Sequence, residues 1–176
     1  MTTDWHLANC LSTTLTQDQR DQIEALMMQL QETERALSSD RATGEVMAHR
    51  HVDYLLDLAQ SNAGAFLTAI AGEQVVGFCV VILTEEDERD LHLLNDFKLA
   101  GEVTDVIVDP THQKKGIGRA LVAAATAHCQ ARGVRQLKLK TLAQNTGKSH
   151  LRSVGFSPAR NYPCHRSLTQ RAILSN

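Results

Sequence analysis

The chain has 176 residues, with 18 basic and 20 acidic side chains and a formal net charge of −2. This balance provides no overall positive field that would attract nucleic acid or an anionic membrane, so neither class of partner is expected. Hydrophobic residues make up 43% of the sequence, which is sufficient for the core of one domain spanning residues 1–176.

Targeting and redox signals are weak in this sequence. The opening MTTDWHLANC lacks a basic stretch followed by an apolar run, and no window approaches the roughly 20 apolar residues that a membrane span needs. A cytoplasmic location is therefore expected. The cysteines lie far apart with no CxxC spacing, which favours reduced thiols over a zinc or redox site; they are Cys10, Cys79, Cys129 and Cys164.

Two amphipathic helices are predicted in the first third of the chain. Thr16 and Gln19 have the spacing of a capping box, and apolar residues then recur at helical intervals from Ile23 to Leu30. A second helix carries Val52, Leu55, Leu56 and Ala59 and ends before a turn at residues 61–64. The HRH run at residues 49–51 does not place its histidines on one helix face, so no metal site is predicted there.

The middle of the chain predicts a β-hairpin followed by an acidic loop. AFLTAIAGEQVVGFCVVIL contains two apolar, β-branched runs around a turn at residues 71–74. The acidic run from Glu85 to Asp90 then begins a polar segment with a short helix. This run is either a solvated loop or a surface that attracts a cationic substrate.

The remaining pattern alternates strands and helices. EVTDVIV predicts a strand that stops at Asp109-Pro110, because proline cannot donate to a strand ladder. A third helix should begin near Gly116 or Ile117 and end at Arg132-Gly133, with its apolar face at Ile117, Ala120, Leu121, Ala124 and His128. VRQLKLKTL alternates like a strand, NTGKSHLRSVGF predicts a short helix, and HRSLTQRAIL predicts further strand. One mixed α/β domain is expected.

The start of the third helix has the chemistry of an anion site. Its first N–H groups lack partners within the helix, and Gly116 and Gly118 would allow a phosphate to approach the backbone. Gln113, Lys114, Lys115 and Arg119 add donors and positive charge. The alternative is a surface helix with a glycine start and solvated lysines. GxxxxGK[ST] is absent, and GxGxxG is incomplete because Leu121 replaces the third glycine.

The order of these segments over about residues 65–157 resembles the GNAT superfamily of N-acetyltransferases, whose hallmark [QR]xxGx[GA] appears here as QKKGIG. The resemblance implies an α/β (α+β) single-domain fold with a cofactor-binding core at about residues 101–157. In this fold a central mixed, mostly antiparallel twisted sheet has two splayed parallel strands and helices on both faces.

The resemblance also implies acetyl coenzyme A as acyl donor and no metal. Its pyrophosphate would lie on backbone N–H groups of the glycine loop, and its pantetheine arm would pair with the preceding strand. Asn145 occupies a position that often contacts the cofactor in relatives, although it could equally be a cap. The implied cofactor-binding residues are Val106, Ile107, Val108, Gln113, Lys114, Lys115, Gly116, Ile117, Gly118, Arg119 and Asn145.

The implied chemistry is attack of an amine on a thioester, which requires removal of a proton from the amine. Glu102 stands where several relatives carry a general-base glutamate, and Asp105 is the alternative base. Regular strand alternation would turn these two side chains to opposite faces. Each is otherwise an ordinary strand-end carboxylate.

One position departs from the family pattern. Many relatives carry a tyrosine as general acid four residues before the glycine of Gly-Phe, and this chain has Leu151, which cannot donate a proton. The departing thiolate would then rely on solvent or on Tyr162, Cys164 or His165. A non-catalytic acetyl coenzyme A binding or sensing domain is therefore an alternative. The acceptor, a small-molecule amine or a peptide or protein amine, is left open, as is a homodimer.

Overall fold

The computed structural model describes residues 4–11, 15–89, 91–142, 157–158 and 167–173, with the backbone alone described at 140–142, 157–158 and 167–173. The helices are α1 (Gln17–Leu37), α2 (Gly44–Ser61) and α3 (Ile117–Gln130). The strands are β1 (His6–Asn9), β2 (Ala65–Ala71), β3 (Gln74–Glu85), β4 (Leu99–Val108), β5 (Gln136–Leu142), β6 (Ser157–Pro158) and β7 (Ser167–Ile173). Short 3₁₀ turns occupy Asn95–Phe97 and Pro110–His112.

The capping box predicted at the start of α1 is present. The Gln19 N–H donates to the Thr16 hydroxyl at 3.2 Å, and the Thr16 N–H donates to the Gln19 side-chain oxygen at 3.1 Å. These reciprocal bonds satisfy backbone donors that the first helical turn cannot pair internally. Ile23, Leu26 and Met27 then form the buried face of α1, as the helical spacing predicts.

The described strands form one seven-stranded sheet in the order β1-β2-β3-β4-β5-β7-β6. The predicted hairpin is formed by β2 and β3 around Gly72, whose φ of +61° is a conformation that favours glycine. The neighbours β4 and β5 are parallel, and every other pair is antiparallel.

The pairing of β4 with β5 covers only part of either strand. Gly101–Val103 face Leu137–Leu139, whereas β4 continues to Val108 with no recorded β5 partner in the described ranges. Beyond Leu139, β5 continues to Leu142 and stays paired with β7. In the part of the chain that the structure describes, the pairing of the two parallel strands therefore ends at Val103, and the edge of β4 beyond it is open.

Two hydrophobic clusters cover the two faces of the sheet. One joins α1 and α2 to β2 and β3 and includes Ile23, Val52, Leu55, Phe66 and Phe78. The other joins α3 to the opposite face and includes Val81, Val103, Leu121, Ala125 and Leu137. The predicted fold class, a mixed and mostly antiparallel sheet with splayed parallel strands and helices on both faces, is confirmed.

The buried face of α3 is rotated from the predicted one. Ile117 and Leu121 are buried as predicted, but the other buried positions are Val122, Ala125 and Cys129. Ala120, Ala124 and His128 are only partly buried. The helix is rich in alanine, so periodicity constrains its rotation weakly, and packing of the larger valine and cysteine side chains decides it.

No helix in the described ranges is both long enough and apolar enough to cross a membrane.

Candidate functional site

A β-bulge at Thr104 determines which way the two candidate bases point. Along β4, Val103 faces Val81 of β3 and Asp105 faces Val80, so Thr104 is an extra residue. Glu102 faces Ile82. Residues opposite each other in an antiparallel pair project to the same side of the sheet.

Glu102 and Asp105 therefore lie on one face. Their partners Ile82 and Val80 both belong to the cluster under α1 and α2. The expectation that the two carboxylates turn to opposite faces is wrong, because the bulge inserts a residue and shifts the alternation by one position.

Asp105 lies largely buried beside a histidine of α2. Its side chain is 16% exposed, and the Nε2 of His51 is 4.0 Å from its Oδ1. Burial raises the pKa of Asp105, while the charge of His51 opposes that rise. Burial is therefore the main influence on this carboxyl group, and the charge of His51 acts in the opposite direction.

A second acid from α1 extends this cluster. The pKa of Glu34 is raised, chiefly because the group is buried. The charge of Arg41 opposes this rise, and the charge of Asp105 adds to it. The Nε of Arg41 is 3.6 Å from a carboxylate oxygen of Glu34. Residues of α1, α2 and β4 thereby form one group of interacting charges on the face that carries Glu102.

Glu102 is half-buried near the point where β4 and β5 separate. Its neighbour across the parallel pair is Lys138, which is 9% exposed. The Lys138 ammonium donates to Glu86 at 2.9 Å. Glu86, near the start of the acidic run, is therefore attached to the sheet beside Glu102.

Two basic side chains contact residues of the acidic run from Glu85 to Asp90. Arg89 belongs to the run, and Lys98 follows it in the chain. The Arg89 guanidinium donates to the Asp87 carboxylate at 2.6 Å and 2.9 Å, and the Lys98 ammonium donates to the Glu88 carbonyl at 2.7 Å. These contacts favour the solvated-loop interpretation of the run over a field that attracts a cationic substrate. Asp90 lies outside the described residues.

The glycine loop begins α3 at an open surface. Gly116 is the N-cap with φ +82°, and a Cβ built there would meet no atom of the described residues within 4 Å. The first intrahelical bond is donated by Ala120 to the Gly116 carbonyl at 3.0 Å. Ile117, Gly118 and Arg119 therefore present N–H groups that have no acceptor within the helix, at the positive end of its dipole.

The loop is attached directly to the end of β4. The Gln113 side-chain amide donates to the Val108 carbonyl at 3.2 Å. Asp109 accepts from the Thr111 N–H at 2.8 Å and also pairs with its hydroxyl, and Pro110 fixes the first backbone angle of the turn. These bonds fix the open edge of β4 relative to the glycine loop.

The predicted cofactor-binding residues differ in exposure and in the face of the sheet on which they pack. Gln113, Lys114, Lys115 and Arg119 are exposed, whereas the Ile117 side chain is 1% exposed and offers only its backbone. Val106 and Val108 pack toward α3, and Ile107 packs toward α1 and α2. Beyond Val103 the open edge of β4 can hydrogen-bond an extended ligand as an added strand would.

Several predicted residues cannot be placed. The residues that lie outside the described ranges are Asn145, Leu151, Tyr162, Cys164 and His165. The short helix predicted to end at Gly155 also lies outside those ranges. The C-terminal strand prediction is confirmed by β7.

Sequence reasoning missed His51, Glu34 and Lys138. The HRH run draws attention to His51 only as a metal ligand, whereas its position immediately before the core residue Val52 indicates that it borders the sheet. Nothing local in the sequence relates Glu34 or Lys138 to β4, because their contacts join distant parts of the chain.

Comparison with known proteins supports the fold and the family. Residues 27–156 match the model of the acetyltransferase (GNAT) family. A mycothiol acetyltransferase from Cellulomonas flavigena is 47% identical over 58 residues, which are 32% of this chain and 17% of that enzyme. The chain thus matches less than a fifth of the length of that relative.

Two solved structures have the same fold at low sequence identity. An acetyltransferase from Streptococcus agalactiae superposes with a TM-score of 0.70 at 17% identity, covering 98% of this chain and 100% of that one. The PaiA N-acetyltransferase from Thermoplasma acidophilum, in complex with coenzyme A, gives 0.70 at 15% identity, covering 97% and 99%. Because the family model matches most of the sequence, this chain belongs to the acetyltransferase (GNAT) family.

Proposed function

We propose that this protein transfers an acetyl group from acetyl coenzyme A to a primary amine by direct attack in a ternary complex. The observation that carries the proposal is the open edge of β4, which leads directly to the glycine-capped N-terminus of α3. The edge of β4 would suit the extended pantetheine arm, and the adjacent start of α3 would suit the anionic pyrophosphate. The same fold in the Thermoplasma protein is in complex with coenzyme A.

The residues present fit acetyl coenzyme A. The N–H groups at the start of α3 would hold the pyrophosphate, and exposed Lys114, Lys115 and Arg119 would neutralise its charge. The edge from Val106 to Val108 would align the pantetheine arm by backbone hydrogen bonds. When bound, the group supplies an acetyl thioester, and no metal is part of the proposal.

The catalytic task of the chain is to free the amine from its proton and to orient it. A protonated amine has no lone pair for attack, so a nearby base must accept the proton. Glu102 and Asp105 lie on one face of β4 beside the opening between the parallel strands. Backbone N–H groups near Val108 would polarise the thioester carbonyl.

The acceptor class remains a primary amine of a small molecule, peptide or protein. The mycothiol acetyltransferase match spans too little of that enzyme to transfer its acceptor to this chain.

The experiment that tests the proposal is calorimetric titration of acetyl coenzyme A into wild type, Gly116→Glu and Gly133→Glu. Both glycines have positive φ and open space at the Cβ position, but Gly133 lies beyond the opposite end of α3. The two substitutions therefore cost comparable backbone strain, and only the first puts bulk and negative charge at the proposed phosphate site.

Binding lost only in Gly116→Glu would support the site, and thiol release with one class in an amine panel would then define the acceptor. Binding without release for any amine would favour a sensing domain. If wild type does not bind acetyl coenzyme A, the proposed function is wrong.

A further inference from the structure

We propose that His51 is a positioning residue that keeps Asp105 ready to accept the proton of the acceptor amine and then carries that proton to solvent. This inference rests on the proposed function, and it selects Asp105 over Glu102 as the proton acceptor. It is carried by the contact between α2 and β4 just beyond the point where β4 leaves β5.

The fold holds the pair in place from both sides. Asp105 follows the bulge at Thr104, which directs its side chain under α2. His51 immediately precedes Val52, which is 0% exposed in the core between α2 and the sheet. The His51 ring also lies 5.6 Å from the ring of Tyr54 on the same helix.

His51 is the basic side chain that lies next to Asp105 among the described charged groups. Glu34 of α1 adds negative charge, Arg41 lies against Glu34 and Asp40, and buried Cys79 of β3 contributes a thiol. Without a neighbouring cation, a buried carboxyl beside another acid would tend to retain its own proton. A protonated carboxyl cannot accept a proton from an ammonium group, so the positive form of His51 maintains the base.

The difference in exposure between the two side chains gives the proton a route. Asp105 is 16% exposed and His51 is 32% exposed, so the carboxylate is enclosed while the imidazole reaches solvent. The distance of 4.0 Å exceeds a hydrogen bond. A small ring movement or one bridging water would complete the transfer.

Two proton transfers link the acceptor amine to solvent. One N–H bond of the acceptor ammonium breaks, its proton bonds to an Asp105 oxygen, and the freed lone pair of nitrogen attacks the thioester carbonyl. Once Asp105 holds this proton, the imidazolium of His51 releases its own proton to solvent. The neutral imidazole then takes the proton from Asp105, which restores the charged pair. The departing thiolate takes its own proton from solvent, so no other co-reactant is needed.

The test is the pH dependence of kcat/KM in wild type, His51→Gln and the matched control His49→Gln. His49 belongs to the same helix, but its side chain is 67% exposed and contacts Glu24 at 2.8 Å. Removing the positive charge beside Asp105 should move the acidic limb of the profile upward by about one pH unit. We expect kcat to fall by roughly 100-fold in His51→Gln and the profile of His49→Gln to match wild type.

Two further variants separate the parts of the inference. His51→Arg keeps a permanent charge but cannot release a proton, so its acidic limb should stay near that of wild type while kcat falls. Full kcat in His51→Arg would overturn the proton-release step. Asp105→Asn should be nearly inactive while Glu102→Gln retains more activity, and the reverse order would overturn the choice of Asp105.

Acetyl coenzyme A affinity, measured by calorimetry, separates failure of this inference from failure of the proposed function. His51→Gln should bind the cofactor as wild type does. A wild-type enzyme that acetylates amines, together with an unchanged profile in His51→Gln, would overturn the inference alone. Absence of cofactor binding in wild type would overturn both.

Discussion

Gly101 of β4 lies directly against Cys129 of α3. A Cβ built on Gly101 would collide with the Cys129 Sγ and would lie 2.8 Å from the Leu137 Cδ1. Both neighbours are buried, with Cys129 and Leu137 each 0% exposed. The absence of a side chain at Gly101 thus permits the close approach of α3 to the two parallel strands.

We expect Gly101→Ala to lower the free energy of unfolding by about 1–3 kcal/mol, because the added methyl group overpacks a filled core. Urea denaturation measures this change. The double variant Gly101→Ala/Cys129→Ala should recover part of the loss by removing the Sγ. If the second substitution only adds to the first, the collision is not the cause.

Gly118→Ala should separate cofactor binding from stability. A Cβ at this position would make an ordinary contact with the Val108 Cγ2 at 3.6 Å, and the residue is already helical. Stability should be unchanged or up to about 1 kcal/mol higher. Acetyl coenzyme A affinity should fall by about tenfold, because the methyl group lies where a phosphate would approach the backbone. Calorimetry and thermal denaturation of the same sample test both expectations, and unchanged affinity would contradict the second.

Asp105→Asn should become more stable relative to wild type as the pH rises. Burial raises the folded-state pKa of Asp105 above its unfolded value of about 3.9. The protonated carboxyl group of Asp105 therefore contributes fully to the free energy of unfolding below about pH 3.9. This contribution is lost as the pH rises through the folded-state pKa. Urea denaturation of both proteins at pH 4 and pH 7 gives the difference in unfolding free energy. A difference that does not change with pH would contradict this sign.

Asp109→Asn should show the opposite slope. The Thr111 hydroxyl, followed by the Thr111 N–H and His112, lowers the folded-state pKa of Asp109. The stabilising contribution is present above the unfolded pKa of about 3.9 and is lost as the pH falls through the lower folded pKa. The variant should therefore be less stable than wild type at pH 7, and the deficit should shrink as the pH falls below about 4. A constant deficit in the same denaturation series would contradict this expectation.

Glu86→Gln should destabilise the protein by about 1 kcal/mol, because it leaves the buried Lys138 ammonium without its anionic partner. The Glu86 side chain is 42% exposed, so solvent screens the pair and limits the effect. A double-mutant cycle with Lys138→Met measures the coupling. Additive effects in that cycle would show that the ion pair does not attach the acidic segment to the sheet.

Local sequence patterns were sufficient to predict most elements and the cofactor loop. The capping box of Thr16 and Gln19, the hairpin turn at Gly72 and the stop of β4 before Pro110 each depend on residues adjacent in the chain. The positive φ of Gly116 likewise reflects a local requirement of the turn into α3. Hydrogen bonds and backbone sterics of this range are encoded within a few residues, so the sequence alone determines them.

Tertiary structure decided the directions of the side chains around β4. The bulge at Thr104 arises from pairing with β3, and it alone brings Glu102 and Asp105 to one face. The contact of His51 with Asp105 joins residues 54 positions apart. The rotation of α3 was likewise decided by packing, because its alanine-rich sequence has little periodic contrast. Strand register and helix packing depend on the whole core. The sequence by itself therefore determined the helices, strands and turns of this protein. Only their assembly in the tertiary structure decided which charged side chains meet.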